Sequence, residues 1–300
     1  MRNITLEELL EAGCHFGHQV TRGNPKSRDF VFEARDGIHI IDLSKTKEGL
    51  EEAGKFIKSL ANNPNANLVI VGTKRQTQEV LSKELERMKG VIKNEPGLYF
   101  VRNRWIGGLL TNFSEVSKNF KKLNDLNRKL ENKSEQAGFT KKEIGSWAKE
   151  KEKLENLYGG VHKLTKVPDA LFIIDSHLEN LAVIEATKMN VPTVAITDTN
   201  SDPHLVDYPI PANDDAVGSL ELIIAYILDA WSEGRNSVKI SKADDVTENK
   251  KKAEEKKDSE KKNANSDKNV GANVKIEGNK PIKNPPLPKT SVGQKKSIKK

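Results

Sequence analysis

The sequence predicts an α/β fold: a doubly wound, mostly parallel sheet with an inserted antiparallel helical hairpin and a disordered C-terminal tail. Three observations predict it. Short, almost wholly apolar runs recur at 67–71, 99–101, 170–174 and 193–196. Amphipathic segments of helical spacing alternate with them, and strands that are apolar throughout need helices on both faces of their sheet. A strandless interval at 112–158 and a low-complexity end beyond Ser241 stand outside that alternation. Residues 1–234 are therefore one α/β domain interrupted by 112–158, and 235–300 are a basic tail.

In chain order, Thr5 and Glu8 have the spacing of a capping box and open a short helix. Cys14 to Arg28 reads as a loop, and short strands at 30–32 and 38–41 flank the turn Arg35-Asp36-Gly37. Ser44 opens a helix carrying Leu50, Ala53, Ile57 and Leu60 on one face. After the strand at 67–71, Thr73 with Gln76 opens a helix carrying Leu81, Leu85 and Met88. The strand at 170–174 leads to a helix from Leu178 to Met189, the strand at 193–196, and a last short strand at 208–210. The final helix, from about Asp215 to Trp231, shows Val217, Leu220, Ile224, Ile227 and Trp231 in one stripe.

Within 112–158, Val116, Phe120, Leu123 and Leu130 line one helix, and Ile144, Leu154 and Leu157 line a second. The turn near Gly138 to Thr140 is short, which makes the pair an antiparallel hairpin. Lys121, Lys122, Arg128, Lys129, Lys133, Lys141 and Lys142 cover its outside. The tail has no aromatic residue after Ser241 and cannot offset its own ordering entropy, so disorder is expected, with Pro285 to Pro288 an extended spacer.

Of the 300 residues, 35% are hydrophobic and 31% charged, and no run of about 18 apolar residues occurs. No membrane span is expected, and the first residues lack the basic-then-apolar order of a secretion signal. The single cysteine, Cys14, excludes an intrachain disulfide and fits a cytoplasmic location. The net charge of +7 divides unevenly: 235–300 hold 19 basic and 9 acidic residues, leaving 31 and 34 in 1–234. A nucleic-acid partner of the body must therefore meet a local patch, not a uniformly basic surface.

Four groups of residues invite chemistry. Gly72-Thr73-Lys74-Arg75 leaves a strand and opens a helix, where backbone N–H groups and both cations suit a phosphate. No GxxxxGK[ST] or GxGxxG pattern accompanies it, so the phosphate can belong to an RNA backbone or to a small molecule. Cys14, His15, His18 and His39 suggest a metal, but with no second Cys/His cluster downstream no metal is expected. Asp175, Asp198, Asp202, Asp207, Asp214 and Asp215 lie near strand ends and suit magnesium in an enzyme; the favoured reading is that Asp198, Thr199 and Asn200 form Asx-type turns and that Asp214 or Asp215 caps the last helix. Arg102-Asn103-Arg104-Trp105-Ile106-Gly107-Gly108 interleaves cations, a ring and close-approach glycines, either an RNA contact or a buried Trp under surface arginines. An α/β enzyme on a phosphorylated small molecule and a protein-binding scaffold are the rival classes.

Several segments together resemble bacterial ribosomal small-subunit protein two. They are Gly13-Cys14-His15-Phe16-Gly17-His18-Gln19, Asn24-Pro25-Lys26, Gly37-Ile38-His39-Ile40-Ile41-Asp42-Leu43 and Val71-Gly72-Thr73-Lys74. Further on they are the run from Arg104 to Phe113, Thr140-Lys141-Lys142-Glu143, Gly159-Gly160, Pro168-Asp169-Ala170, Asp198 to Pro203 and Ile210 to Ala216. The resemblance spans 3–234. It implies a flavodoxin-like domain with a protruding helical hairpin, placed at the head–body junction of the small subunit. It also implies binding to small-subunit ribosomal RNA and to neighbouring ribosomal proteins, including retention of the messenger-RNA-binding protein one. No catalysis, cofactor, membrane or small-molecule substrate is implied. On that basis Arg22, Lys26, Lys74, Arg75, Arg102 and Arg104 are expected to meet phosphates, and Trp105 and Asn112 to support or contact RNA near the base of the hairpin. The pattern departs at Thr21 and Gly23, which replace a cation and a Trp, at Ser201 for a Cys, and at Gly218 for an Arg. The tail has no counterpart in the family core and is either an electrostatic tether to RNA or a solvated extension.

Overall fold

The computed structural model describes residues 2–91, 97–136 and 138–237. The tail beyond 237, for which disorder is expected, lies outside the described residues. Five strands form a parallel sheet: β4 (Leu68–Val71), β5 (Leu98–Val101), β6 (Ala170–Ile173), β7 (Thr193–Thr197) and β8 (Tyr208–Pro211). Their order is β5-β4-β6-β7-β8, with every neighbouring pair parallel. This is the order of flavodoxin-like sheets, and it makes the gap between β4 and β6 the topological switch point. In-register pairs such as Ile70 with Phe100 and Phe172, and Ile196 with Ile210, fix the alignment.

Alternation along the strands divides the core in two. Leu68, Ile70, Phe172 and Ile196 pack with α2 (Leu43–Ala61), α3 (Arg75–Val91) and a helix α8 at 217–237. Val69, Val71, Leu171 and Ile173 face the other way, onto Trp105, Leu109, Leu110 and the helix α7 (Asn180–Met189). Both faces are covered, as the apolar strands require.

The amino-terminal part is more ordered than its sequence suggests. After α1 (Leu6–Glu11), whose Thr5–Glu8 capping box is present, comes β1 (Phe16–Gln19), inside the stretch expected to be a loop. It pairs antiparallel with β3 (Ile38–Ile41), which also pairs with β2 (Val31–Arg35). Asp36 and Gly37 both have positive φ, 51° and 79°, the backbone demanded by a tight hairpin turn whose twist matches its strands. The cap of α2 is Asp42, whose Oδ1 accepts from Ser44 N at 2.9 Å, rather than Ser44 itself.

Between β5 and β6 lie α4 (Phe113–Glu131), α5 (Lys133–Gln136) and α6 (Lys141–Tyr158). Contacts run in opposite sequence order: Phe120 meets Tyr158, Lys122 pairs with Glu150, and Lys129 lies over Trp147. Val116, Phe120, Leu123 and Leu126 of α4 are buried, whereas α6 buries none of its residues. At the other end of the domain α8 passes Trp231. Arg235 is only 2% exposed and donates to Asn63 O at 2.7 Å and Ala66 O at 2.6 Å. The first residue assigned to the tail is thus part of the body.

Candidate nucleic-acid interface at the strand ends

The switch point is filled by charge. Gly72 follows β4 with no room for a side chain, since a Cβ would lie 2.4 Å from Thr77 Cγ2 and 2.8 Å from Ile174 Cδ1. The chain turns there and sends Lys74 inward. Its Nζ lies 2.9 Å from Asp175 Oδ2 and 2.8 Å from both Asp214 Oδ1 and Asp215 Oδ1, with the side chain 18% exposed. Burial alone would lower the lysine pKa, but the surrounding carboxylates outweigh it and hold the ammonium well above its ordinary value. Burial, reinforced by the charges of Asp175 and Asp198, pushes the Asp214 carboxyl up to about 7. A phosphate arriving at Lys74 would meet three carboxylates around one cation. Lys74 is therefore an internal counter-charge, and the small-molecule phosphate site loses its principal ligand.

Beside it, His18 Nδ1 sits 3.2 Å from Asp198 Oδ1, an ion-pair contact without hydrogen-bond alignment. That carboxylate raises the imidazole pKa against the opposing effect of burial. Ligand atoms of His18, Asp198 and Asp214 all fall within 4.8 Å of one another, a donor set that suits a divalent cation. Cys/His spacing alone does not join His18 to aspartates far along the chain. The signal available was the strand-end position of those aspartates.

The loop leaving β5 is held from below. Glu185, on α7, is 4% exposed and accepts five hydrogen bonds. Trp105 Nε1 at 3.2 Å and Gly108 N at 2.8 Å donate to Oε1; Leu110 N at 3.2 Å, Thr111 N at 3.4 Å and Thr111 Oγ1 at 3.2 Å donate to Oε2. Burial opposes ionisation of this carboxyl, but the donors prevail and hold it below its usual range. Trp105 is buried, at 6% exposure, so it anchors the loop and offers no ring to a base.

The remaining nominated residues divide by their neighbours. Arg102 and Arg104 are exposed on the β5 loop. The Arg102 guanidinium lies over Phe100, 4.9 Å from the ring centroid, and Nη1 donates to Ser82 Oγ at 3.1 Å. Gln78 Nε2 donates to both Thr73 O and Arg102 O at 3.0 Å, tying the loops after β4 and β5 together. Arg75 is exposed at the start of α3, and Asn112 is exposed at the N-cap of α4 with its side chain making no cap bond. Arg22 is exposed and lines a cavity of about 230 Å³ with His18, Asp198 and Asp215. Lys26, by contrast, is paired with Asp202 Oδ2 at 2.5 Å.

The domain is doubly wound, with exposed arginines on strand-end loops beside an acid cluster that Lys74 partly neutralises. Comparison with known proteins gives the family. Residues 9–234 match the family model described as Ribosomal protein S2. The small ribosomal subunit protein uS2 of Corynebacterium jeikeium is 44% identical over 237 residues, covering 79% of this chain and 82% of that one. The protein of the same name from Corynebacterium urealyticum is also 44% identical over 237 residues, covering 79% and 85%. The chain belongs to the ribosomal protein S2 family.

Proposed function

We propose that this protein is a structural, non-catalytic component of the small ribosomal subunit, acting in the cytoplasm, and that it clamps small-subunit ribosomal RNA. Arg102 and Arg104 carry the reading: they are exposed on a loop whose other side is fixed by five bonds to one carboxylate. Guanidinium groups presented on a fixed loop suit phosphate recognition, and shape rather than base sequence would be read. Arg22, Arg75 and Asn112 extend the contact. Lys74 acts from behind as counter-charge to the strand-end acids, Lys26 is exposed beside its partner Asp202, and Trp105 supports the loop. In this reading the α4–α6 pair wedges between RNA helices and neighbouring ribosomal proteins at the head–body junction, and the protein helps retain protein one.

Sedimentation of a tagged copy through a high-salt sucrose gradient tests it. Stoichiometric migration with small subunits is the expected result; migration as a free protein would reject the ribosomal role.

A further inference from the structure

Surface helices of a doubly wound domain turn apolar residues inward and charge outward. The helix α7 departs from that rule. Its inner side holds Ala182, Val183, Glu185 and Ala186, all buried. Its outer side holds Leu181 and Ile184, 53% and 40% exposed. They continue a line begun by Leu178, 55% exposed, in the turn that leads into the helix. Steps of three residues set the three side chains on one slanting stripe. Leu205, also exposed, sits in the single turn Pro203–Leu205 that packs against α7.

The charge on this face is one-sided. The helices α2 and α3 expose Glu52 and Glu79. The two carboxylates of the α7 segment, Glu179 and Glu185, are buried and already taken, by Thr73 Oγ1 and by the Trp105 loop. The charge that the helix leaves in water is Lys188, one turn beyond Ile184. Exposed Arg104 lies on the loop whose Gly107 approaches Leu181; a Cβ added at Gly107 would lie 3.7 Å from Leu181 Cδ2.

These features choose the occupant. Leucine and isoleucine offer RNA neither a hydrogen-bond donor nor a flat ring, so bases and phosphates gain nothing from the stripe. The chain's own 235–300 segment, with 19 basic and 9 acidic residues, is repelled by the same cations, and a second copy of this face would set cation against cation. An amphipathic helix with apolar residues three and four apart and a carboxylate beside them matches both the stripe and its charge.

We infer that the outer face of α7 is a protein-docking surface that takes an amphipathic helix with an acidic flank from another protein of the small subunit. Leu178, Leu181 and Ile184 make the apolar contact, and Lys188 meets the acid. The inference rests on the ribosomal reading above and adds a surface other than the α4–α6 pair.

The test uses small subunits from cells whose only copy of the full-length protein carries the photo-cross-linker p-azidophenylalanine in place of Leu181. A cross-link to one subunit protein is expected, at a segment that mass spectrometry reads as apolar residues at helical spacing beside Asp or Glu. A cross-link to RNA, to a second copy, to the protein's own tail or to a protein segment lacking either feature overturns the docking surface and leaves the ribosomal role intact. No cross-link while the protein still co-sediments does the same. A wild-type copy that itself fails to co-sediment overturns both. Subunits carrying Leu181→Ser should bind the cross-linked protein roughly 10-fold more weakly. The isolated variant should melt as wild type, because half of the leucine is already in water. Lys188→Glu should weaken binding at low salt, with the loss shrinking as salt rises. Unchanged binding by either variant overturns the contact.

Discussion

Trp105 Nε1 donates to Glu185 Oε1 at 3.2 Å, and that one bond turns an apparent base-stacking ring into a buried anchor. The same carboxylate takes Gly108 N, Leu110 N, and both Thr111 N and Thr111 Oγ1. Glu185→Leu would strand these donors in a desolvated place. A cost of about 3–5 kcal/mol is expected, because each unsatisfied buried donor costs about 1–3 kcal/mol and relaxation recovers part of the sum. Glu185→Gln, which retains an acceptor but not the charge, should cost about 1–3 kcal/mol. Urea denaturation of the two variants checks the ranking; equal stability to wild type in both would remove Glu185 from its role.

Glu185 also carries a pH signature. Its folded pKa lies below the ordinary value of 4.5, so the unfolded chain takes up the proton first as pH falls. Its stabilisation is present above that ordinary value and is lost as pH drops through the lower, folded one. Denaturant midpoints of wild type and Glu185→Gln should converge on the acid side. A gap that stayed constant with pH would contradict the ionised state assigned here.

Lys74 separates two roles that one position might serve. As the counter-charge to Asp175, Asp214 and Asp215, its replacement by Met should cost about 3–5 kcal/mol, as for other ion pairs deprived of one buried partner. The salt dependence of RNA binding should not change. A phosphate ligand would behave the other way, with little loss of stability and a shallower salt slope.

The sheet was legible because each central strand is apolar on both faces, which only a doubly covered parallel sheet explains. β1 was not, because Phe16-Gly17-His18-Gln19 contains no β-branched residue and owes its extension to distant partners. Its pairing with Ile38 and Ile40, and the bond from His18 N to Thr199 Oγ1 at 2.9 Å, are tertiary. The strand-end aspartates were half legible. Asp175 Oδ1 accepts from His177 N and Leu178 N in a local turn, but Oδ2 pairs with Lys74. Local pattern reveals the first oxygen and is silent on the second. The cap expected of Asp214 or Asp215 belongs to Asn213, whose Oδ1 accepts from Asp215 N at 2.8 Å and Ala216 N at 3.0 Å. That arrangement releases both aspartates toward Lys74.

Gly160 shows where the chain returning from α6 is pressed against the edge strand. Its carbonyl accepts from Phe100 N at 3.2 Å, and an added Cβ would lie 2.1 Å from Phe100 O and 2.5 Å from its ring. A backbone oxygen in a sheet cannot yield as a flexible side chain would. Gly160→Ala should therefore destabilise by about 2–3 kcal/mol through overpacking. The same change at Gly145, where nothing lies within 4 Å of the added carbon, should stabilise α6 slightly. Paired thermal melts test the contrast, and equal effects at the two glycines would contradict the close approach.

Arg102 and Arg104 are expected to differ in stability but not in binding. Arg104 is exposed and makes no ion pair among the described residues, so Arg104→Ala should leave stability within about 0.5 kcal/mol of wild type. Arg102→Ala loses the cation–π contact with Phe100 and the bond to Ser82, a cost of about 0.5–1 kcal/mol. For RNA binding, each substitution should lower the slope of log affinity against log salt by about one, because each removes one phosphate contact and the counterion it releases. The measurement is binding of the full-length variants to small-subunit RNA across a salt series, with charge-retaining Arg→Lys controls. A slope that falls with Ala but holds with Lys assigns the pair to phosphates. Weakening at constant slope would mean that the arginines act through the shape of the loop, and the contact surface would then have to be sought at Arg22 and Arg75.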